Sequence, residues 1–198
     1  MEQFPLQIKV ALQVQKPVAE VFEAIVDPSQ MTHYFIEQSN GRMEEGGTLQ
    51  WKFPEMDMLV PVRVGRIEKD KYISYYWDGE DGGEFLVEMH LTPYDNNEAT
   101  VVTITEKGAS NDAAGIKWLQ GNTEGWANFL ACLKAWKEYG IKPAIKFSAA
   151  IKFPPRLTTP SKSRPKLRLS FLLKPRSYSA AKFNLHDGSM MLLFSTLR

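Results

Sequence analysis

Apolar positions recur along this chain at two distinct periods. Over residues 6–15, Leu6, Ile8, Val10, Leu12 and Val14 share one face, while Gln7, Lys9, Gln13 and Gln15 take most of the other, which predicts a half-buried strand. Lys16-Pro17 ends it, and PVAEVFEAIVDP sets Val18, Val21, Phe22, Ile25 and Val26 on a short helix opened by Pro17 and closed before Pro28. SQMTHYF adds a further helical turn or two. Loop residues Ser39, Asn40 and Gly41 lead to Gly46-Gly47, after which the period switches to two, with Leu49, Trp51 and Phe53 alternating with Gln50 and Lys52. Strand patterns then follow one another over 58–67, 72–77, 85–91 and 99–105, joined by polar segments carrying Asp-Gly and Asp-Asn-Asn turn chemistry. Pro61, which cannot donate to a ladder, is expected at a bulge or an edge.

The last long pattern, GNTEGWANFLACLKAWKEYG over 121–140, has helical spacing: at about 100° per residue Trp126, Phe129, Leu130, Leu133 and Trp136 fall in one arc. Asn122 or Thr123 offers N-terminal capping, and Gly140 stands where a left-handed stop belongs. Trp118 and Leu119 join the arc if the helix starts near Asn111 and bends at the glycines. Strand, helices, five consecutive strands and one long helix give an α+β layer rather than a parallel sheet. The expected sheet is antiparallel, with six strands. Its inner face carries Trp51, Phe53, Tyr75, Trp77, Phe85, Val87, Met89, Val102 and Ile104, the apolar surface that the helix requires.

These segments resemble a known family. GWANFLACLKAW within 121–141, together with PVAEVFEAIVDP, GGTLQWKF and YISYYW, is similar to the heat-shock protein 90 ATPase activator-like family of the START-like, Bet v 1-like superfamily, also called SRPBCC. The resemblance covers residues 1 to about 141. It implies the helix-grip fold, a curved antiparallel sheet around a long C-terminal helix, with a cavity between them. Two departures stand out. Lys137 falls in the middle of the apolar arc where family members place an apolar residue, so its amine must reach water or a partner. The family domain also ends close to this helix, whereas 57 residues follow Ile141 here.

Charge marks the same boundary. Residues 1–141 hold 12 Lys and Arg against 22 Asp and Glu, a net of −10; residues 142–198 hold 12 against Asp187 alone, a net of +11. The domains expected are therefore 1–141, START-like, and 142–198, a basic tail with proline and serine, disordered or non-native. Three readings of the tail stay open: contact with anionic surfaces, folding back on the acidic domain, or an out-of-frame or cloning-derived extension. With 43% hydrophobic residues the first part has material for a core. A single cysteine, Cys132, and the lack of a leader pattern predict a cytoplasmic protein. No apolar run reaches the roughly 20 residues of a membrane span.

Candidate chemistry is sparse. His33, His90 and His186 are not spaced as metal ligands, and His90 falls on the solvent face of its strand, so no metal and no cofactor is expected. Cys132 reads as a structural thiol. Phosphate-loop, nucleophile-elbow and dinucleotide motifs do not occur, so no catalytic residue, no enzyme activity and no specific nucleic-acid site is expected. The candidate ligand-binding residues are Trp51, Phe53, Tyr75, Trp77, Phe85, Met89, Trp126, Phe129, Leu130 and Leu133, with Met56 and Met58 beside them and Tyr34, Tyr75 and Tyr76 as polar contacts. They could equally be packed core. The resemblance implies two functions to weigh: binding of a small hydrophobic or amphipathic ligand in that cavity, or a co-chaperone-like module that stimulates a heat-shock protein 90 type ATPase through protein contacts.

Overall fold

Strict alternation folds as strand at the start of the chain: Gln7–Val14 forms β1, with Ile8 and Val14 buried and Gln7 and Lys9 exposed. This computed structural model describes residues 5–79 and 83–143. The tail expected over 142–198 lies, from residue 144 onward, outside the described residues. After Pro17, α1 (Val18–Val26) buries Val18, Val21, Phe22, Ala24, Ile25 and Val26. Its first N–H, at Val18, is accepted by Asn97 Oδ1 at 3.0 Å, so a remote turn supplies the cap that Pro17 cannot. Asp27 caps the short α2 (Pro28–Met31) by accepting from the Ser29 N–H.

The sheet follows as β2 (Gln38–Ser39), β3 (Thr48–Lys52), β4 (Leu59–Glu68), β5 (Tyr72–Asp78), β6 (Glu84–Tyr94) and β7 (Ala99–Lys107). Its order is β1-β7-β6-β5-β4-β3-β2, antiparallel throughout. The sheet thus has seven strands where six were expected. The extra one, β2, pairs Gln38 and Ser39 with Lys52 and Trp51, and two residues are too few to show a period. Pro61 lies one residue beyond the first β4–β5 pair, Val62 with Trp77, so no β5 residue is left seeking its missing N–H. The register irregularity falls instead between Val64 and Ile67, around Gly65. A Cβ there would stand 2.7 Å from Ser74 Oγ, the group that accepts from the Arg66 N–H and donates to the Arg66 carbonyl.

The long helix, α3, runs unbroken over Ala113–Tyr139. Its start corrects the expected caps at Asn122 and Thr123: Asp112 is the N-cap and accepts from the Gly115 N–H at 2.8 Å. Thr123 instead donates to the Leu119 carbonyl within the helix. Gly140 ends it with φ 65°, the left-handed stop. α3 packs along β1 and buries Trp126, Phe129, Leu130 and Leu133 against the sheet's inner face. Full burial of side chains this size stabilises by about 1.5–3 kcal/mol each. The residue at the centre of the arrangement is Phe35, just after α2, whose ring meets those of Trp51, Phe53, Trp126 and Phe129.

Candidate functional site

Along β7 the inward positions are Val102, Ile104 and then Glu106, so the period that buries two aliphatics also carries a carboxylate into the interior, where it is 0% exposed. Three N–H donors meet it. Trp77 Nε1 donates to Oε1 at 2.9 Å; Asn122 Nδ2 and Trp126 Nε1 donate to Oε2 at 3.1 and 2.8 Å. Trp77 comes from β5, Asn122 and Trp126 from successive turns of α3, and the two indoles stack at 5.6 Å. Burial raises the Glu106 pKa above the usual carboxylate value, against the pull of these three hydrogen bonds.

Next to this polar cluster the sheet presents a run of rings: Trp77 lies edge-on to Tyr75 at 5.5 Å, and Tyr75 edge-on to Trp51 at 5.3 Å. The Tyr75 hydroxyl and Trp51 Nε1 are buried and have no hydrogen-bond partner. Burial drives the Tyr75 pKa up, reinforced by the nearby Glu106 charge, so the phenol stays protonated and able to donate. Tyr34 differs: its buried hydroxyl donates to the Ala24 carbonyl at 2.9 Å.

Of the ten candidate ligand residues, nine enter this single interior: Trp51, Phe53, Tyr75, Trp77, Met89, Trp126, Phe129, Leu130 and Leu133 are each no more than 3% exposed. Their surfaces lie against one another. Phe85 is only partly buried and stacks on Trp118 at 5.0 Å, towards the start of α3. Met56 is partly buried, and Met58 is exposed. His90 is on the solvent side, against the Tyr72 ring. Cys132 is a half-buried free thiol whose pKa burial raises. Lys137 points away from the interior: its Nζ reaches Glu20 of α1 at 3.7 Å. It lines an open hollow of about 330 Å³ with Glu20, Glu23 and Asp27. A second hollow, about 420 Å³, lies between Arg42, Glu44, Glu45 and Lys69. Among the described residues, no three His, Cys, Asp or Glu side chains group as metal ligands, and no helix is long and apolar enough to cross a membrane.

Glu106 and Asn122 were not singled out as site residues from the sequence. The expected strand stopped at Thr105, yet one more step of the alternation would have placed an acid on an apolar face opposite two tryptophans. As it stands, the cluster is suited to holding rather than reacting: both carboxylate oxygens are engaged by donors from the sheet and the helix.

Comparison with known proteins agrees with this architecture. The family model described as Activator of Hsp90 ATPase homolog 1-like protein matches residues 15–138. The crystal structure of SSP2350 from Staphylococcus saprophyticus is 30% identical, with a TM-score of 0.61 over 71% of this chain and 98% of that one. DynU16, a protein of the dynemicin biosynthetic locus, is 25% identical with a TM-score of 0.61, covering 69% of this chain and 48% of that one. The solution structure of the Aha1 dimer from Colwellia psychrerythraea, 18% identical, shares the fold with a TM-score of 0.56 over 68% of this chain and 98% of that one. No curated protein matches the chain. Family and fold are those of non-catalytic binding domains in general.

Proposed function

As this chain belongs to the family of Activator of Hsp90 ATPase homolog 1-like proteins, we propose that it is a non-enzymatic domain that binds a small hydrophobic or amphipathic ligand between the sheet and α3. The observation that carries this reading is the pair of unpartnered donors, the Tyr75 hydroxyl and Trp51 Nε1, inside an aromatic interior. A buried donor without an acceptor costs about 1–3 kcal/mol. Small-molecule sites combine an apolar wall with a few placed polar groups, and these two groups on this wall have that composition. The rings of this interior lie against one another, so a ligand enters by displacing contacts.

Native mass spectrometry of the purified protein, with uptake of a fluorescent lipid as the second measurement, tests this. A bound small molecule or saturable uptake is expected; a bare mass together with no uptake would remove the reading.

A second reading is favoured by charge. The net of −10 over residues 1–141, with Glu20, Glu23 and Asp27 around one open hollow, suits docking on a basic partner surface. The family description points to a chaperone ATPase as that partner. Measuring the ATPase rate of a heat-shock protein 90 type chaperone with and without this protein decides it, and an unchanged rate discards it.

A further inference from the structure

We propose that Trp77, Trp126 and Glu106 form an internal trap for one-electron oxidation: an oxidising radical takes an electron from the stacked indoles, and an indole proton passes to the Glu106 carboxylate. This activity is separate from ligand binding and does not depend on the reading above.

An indole that loses an electron becomes a cation, and its N–H becomes far more acidic because the ring that holds the proton now carries positive charge. Whether the oxidised state lasts is decided by what lies at the ring nitrogen. The chain has five tryptophans, and they differ in this respect. Trp51 Nε1 and Trp118 Nε1 are buried without an acceptor. Trp136 Nε1 donates to the Gln30 side-chain carbonyl at 3.1 Å, a neutral group of little basicity. Trp77 and Trp126 donate to a carboxylate, at 2.9 and 2.8 Å, within the reach at which a base takes a proton directly.

The surroundings favour the charge that forms. Glu106 is 0% exposed and the ion pairs of the described residues do not include it, so its field falls on the two indoles with little water to screen it. The rings stack at 5.6 Å, which sets a cation on one over the π face of the other. Tyr75 and Trp51 continue the row from Trp77 at 5.5 and 5.3 Å, so an electron vacancy formed along it reaches the pair through ring-to-ring contacts. One electron leaves to the oxidant and one proton moves to Glu106. A neutral indolyl radical then lies beside a neutral carboxylic acid, the form of Glu106 that burial favours.

Tyr72 is the competing site, because its hydroxyl donates to Glu88 at 2.7 Å. Glu88 is the poorer base: the hydrogen bond from Tyr72 and then the one from Lys107, at 3.0 Å, hold its carboxyl below the ordinary value.

Azidyl radicals made by pulse radiolysis take one electron from aromatic side chains and become azide. With the full chain at neutral pH, transient absorption is expected to show a long-lived neutral tryptophyl radical. Glu106→Gln, checked as folded by urea titration, is expected to lower its yield at least ~10-fold. Trp118→Phe and Trp136→Phe remove indoles that lack a carboxylate and are expected to leave the yield unchanged. An undiminished yield in folded Glu106→Gln would overturn the proposal, as would a tyrosyl spectrum in wild type or loss of the signal in Trp118→Phe or Trp136→Phe. If Glu106→Gln does not fold, the wild-type spectrum and the two phenylalanine variants still decide between these outcomes.

Discussion

Trp77 and Trp126, stacked 5.6 Å apart, deliver their indole N–H groups to opposite oxygens of the same carboxylate, Glu106. One of these rings belongs to the sheet and the other to α3, so the anion between them ties the two layers at a point where apolar contact alone would let the helix slide. Alanine at Glu106 would remove the carboxylate to which three buried N–H groups donate, and a loss of at least ~3 kcal/mol is expected from urea unfolding. Glu106→Gln keeps one carbonyl oxygen in place and is expected to fall between wild type and Glu106→Ala.

Acidity should act on two carboxylates in opposite directions. Burial holds Glu106 above its ordinary 4.5, whereas the hydrogen bond from Tyr72, and then Lys107, hold Glu88 below it. The folded protein therefore binds the Glu106 proton more tightly than the unfolded chain does. That contribution is complete below about 4.5 and is lost as pH rises through the raised value. The Glu88 contribution is present above about 4.5 and is lost as pH falls through its lowered value. Urea midpoints across this range should show wild type losing ground to Glu106→Gln as pH rises, and gaining on Glu88→Gln.

The start of α3 depends on one side chain. Asp112 accepts from the Gly115 N–H, so Asp112→Ala should cost about 1 kcal/mol and speed amide exchange in the first turn. Thermal unfolding and hydrogen exchange measure the two effects; an unchanged first turn would mean that the cap is not what starts the helix.

Lys137 should be cheap to replace. Its side chain is 16% exposed, and its partner Glu20, 3.7 Å away, is about half exposed, a pair of the kind worth less than ~1 kcal/mol. Lys137→Leu restores the family's apolar pattern and is expected to leave stability within about 1 kcal/mol of wild type by chemical denaturation. A larger loss would give the Glu20 contact a role that its exposure does not suggest.

A chain ended after Ile141 is expected to keep the far-ultraviolet circular dichroism and urea midpoint of the full chain's domain. The Ile141 N–H still bonds to the Ala135 carbonyl across the Gly140 stop, so the shortened chain retains the stop that ends α3. Unfolding of the shortened protein where the full chain is stable would move the boundary.

Strands and helices were readable where burial is one-sided, because alternation in β1, β3 and β6 and the arc of α3 are direct images of a wet face and a dry one, while β5 and β7 showed as aromatic and β-branched runs. The elements that escaped lack that image. β2 is two residues long, and Gly121 and Gly125 lie well inside α3, which left the sequence with two possible starts, one at Asn122 or Thr123 and one near Asn111. The aromatic part of the site was legible as composition, since Trp51, Tyr75, Trp77 and Trp126 sit on predicted faces. Its polar part was not, because Glu106 and Asn122 are side chains that ordinarily face solvent or cap a helix. Only the meeting of β7 with α3 gives them partners, and that meeting is long-range.

The order of the sheet also sets an order of events. β1 lies at one edge and hydrogen-bonds only to β7, pairing Gln7 with Lys107 and Val14 with Thr100. During synthesis the first strand made therefore has nothing to pair with until nearly a hundred further residues have been added, while β3 to β6 can close as successive hairpins. Closing so large a loop is slow, and an unpaired apolar strand is a hazard while it waits. With the chain free of the ribosome only as far as Glu98, a meander of finished hairpins would stand beside an orphan strand, and α1 would lack the β7 and α3 that it packs against.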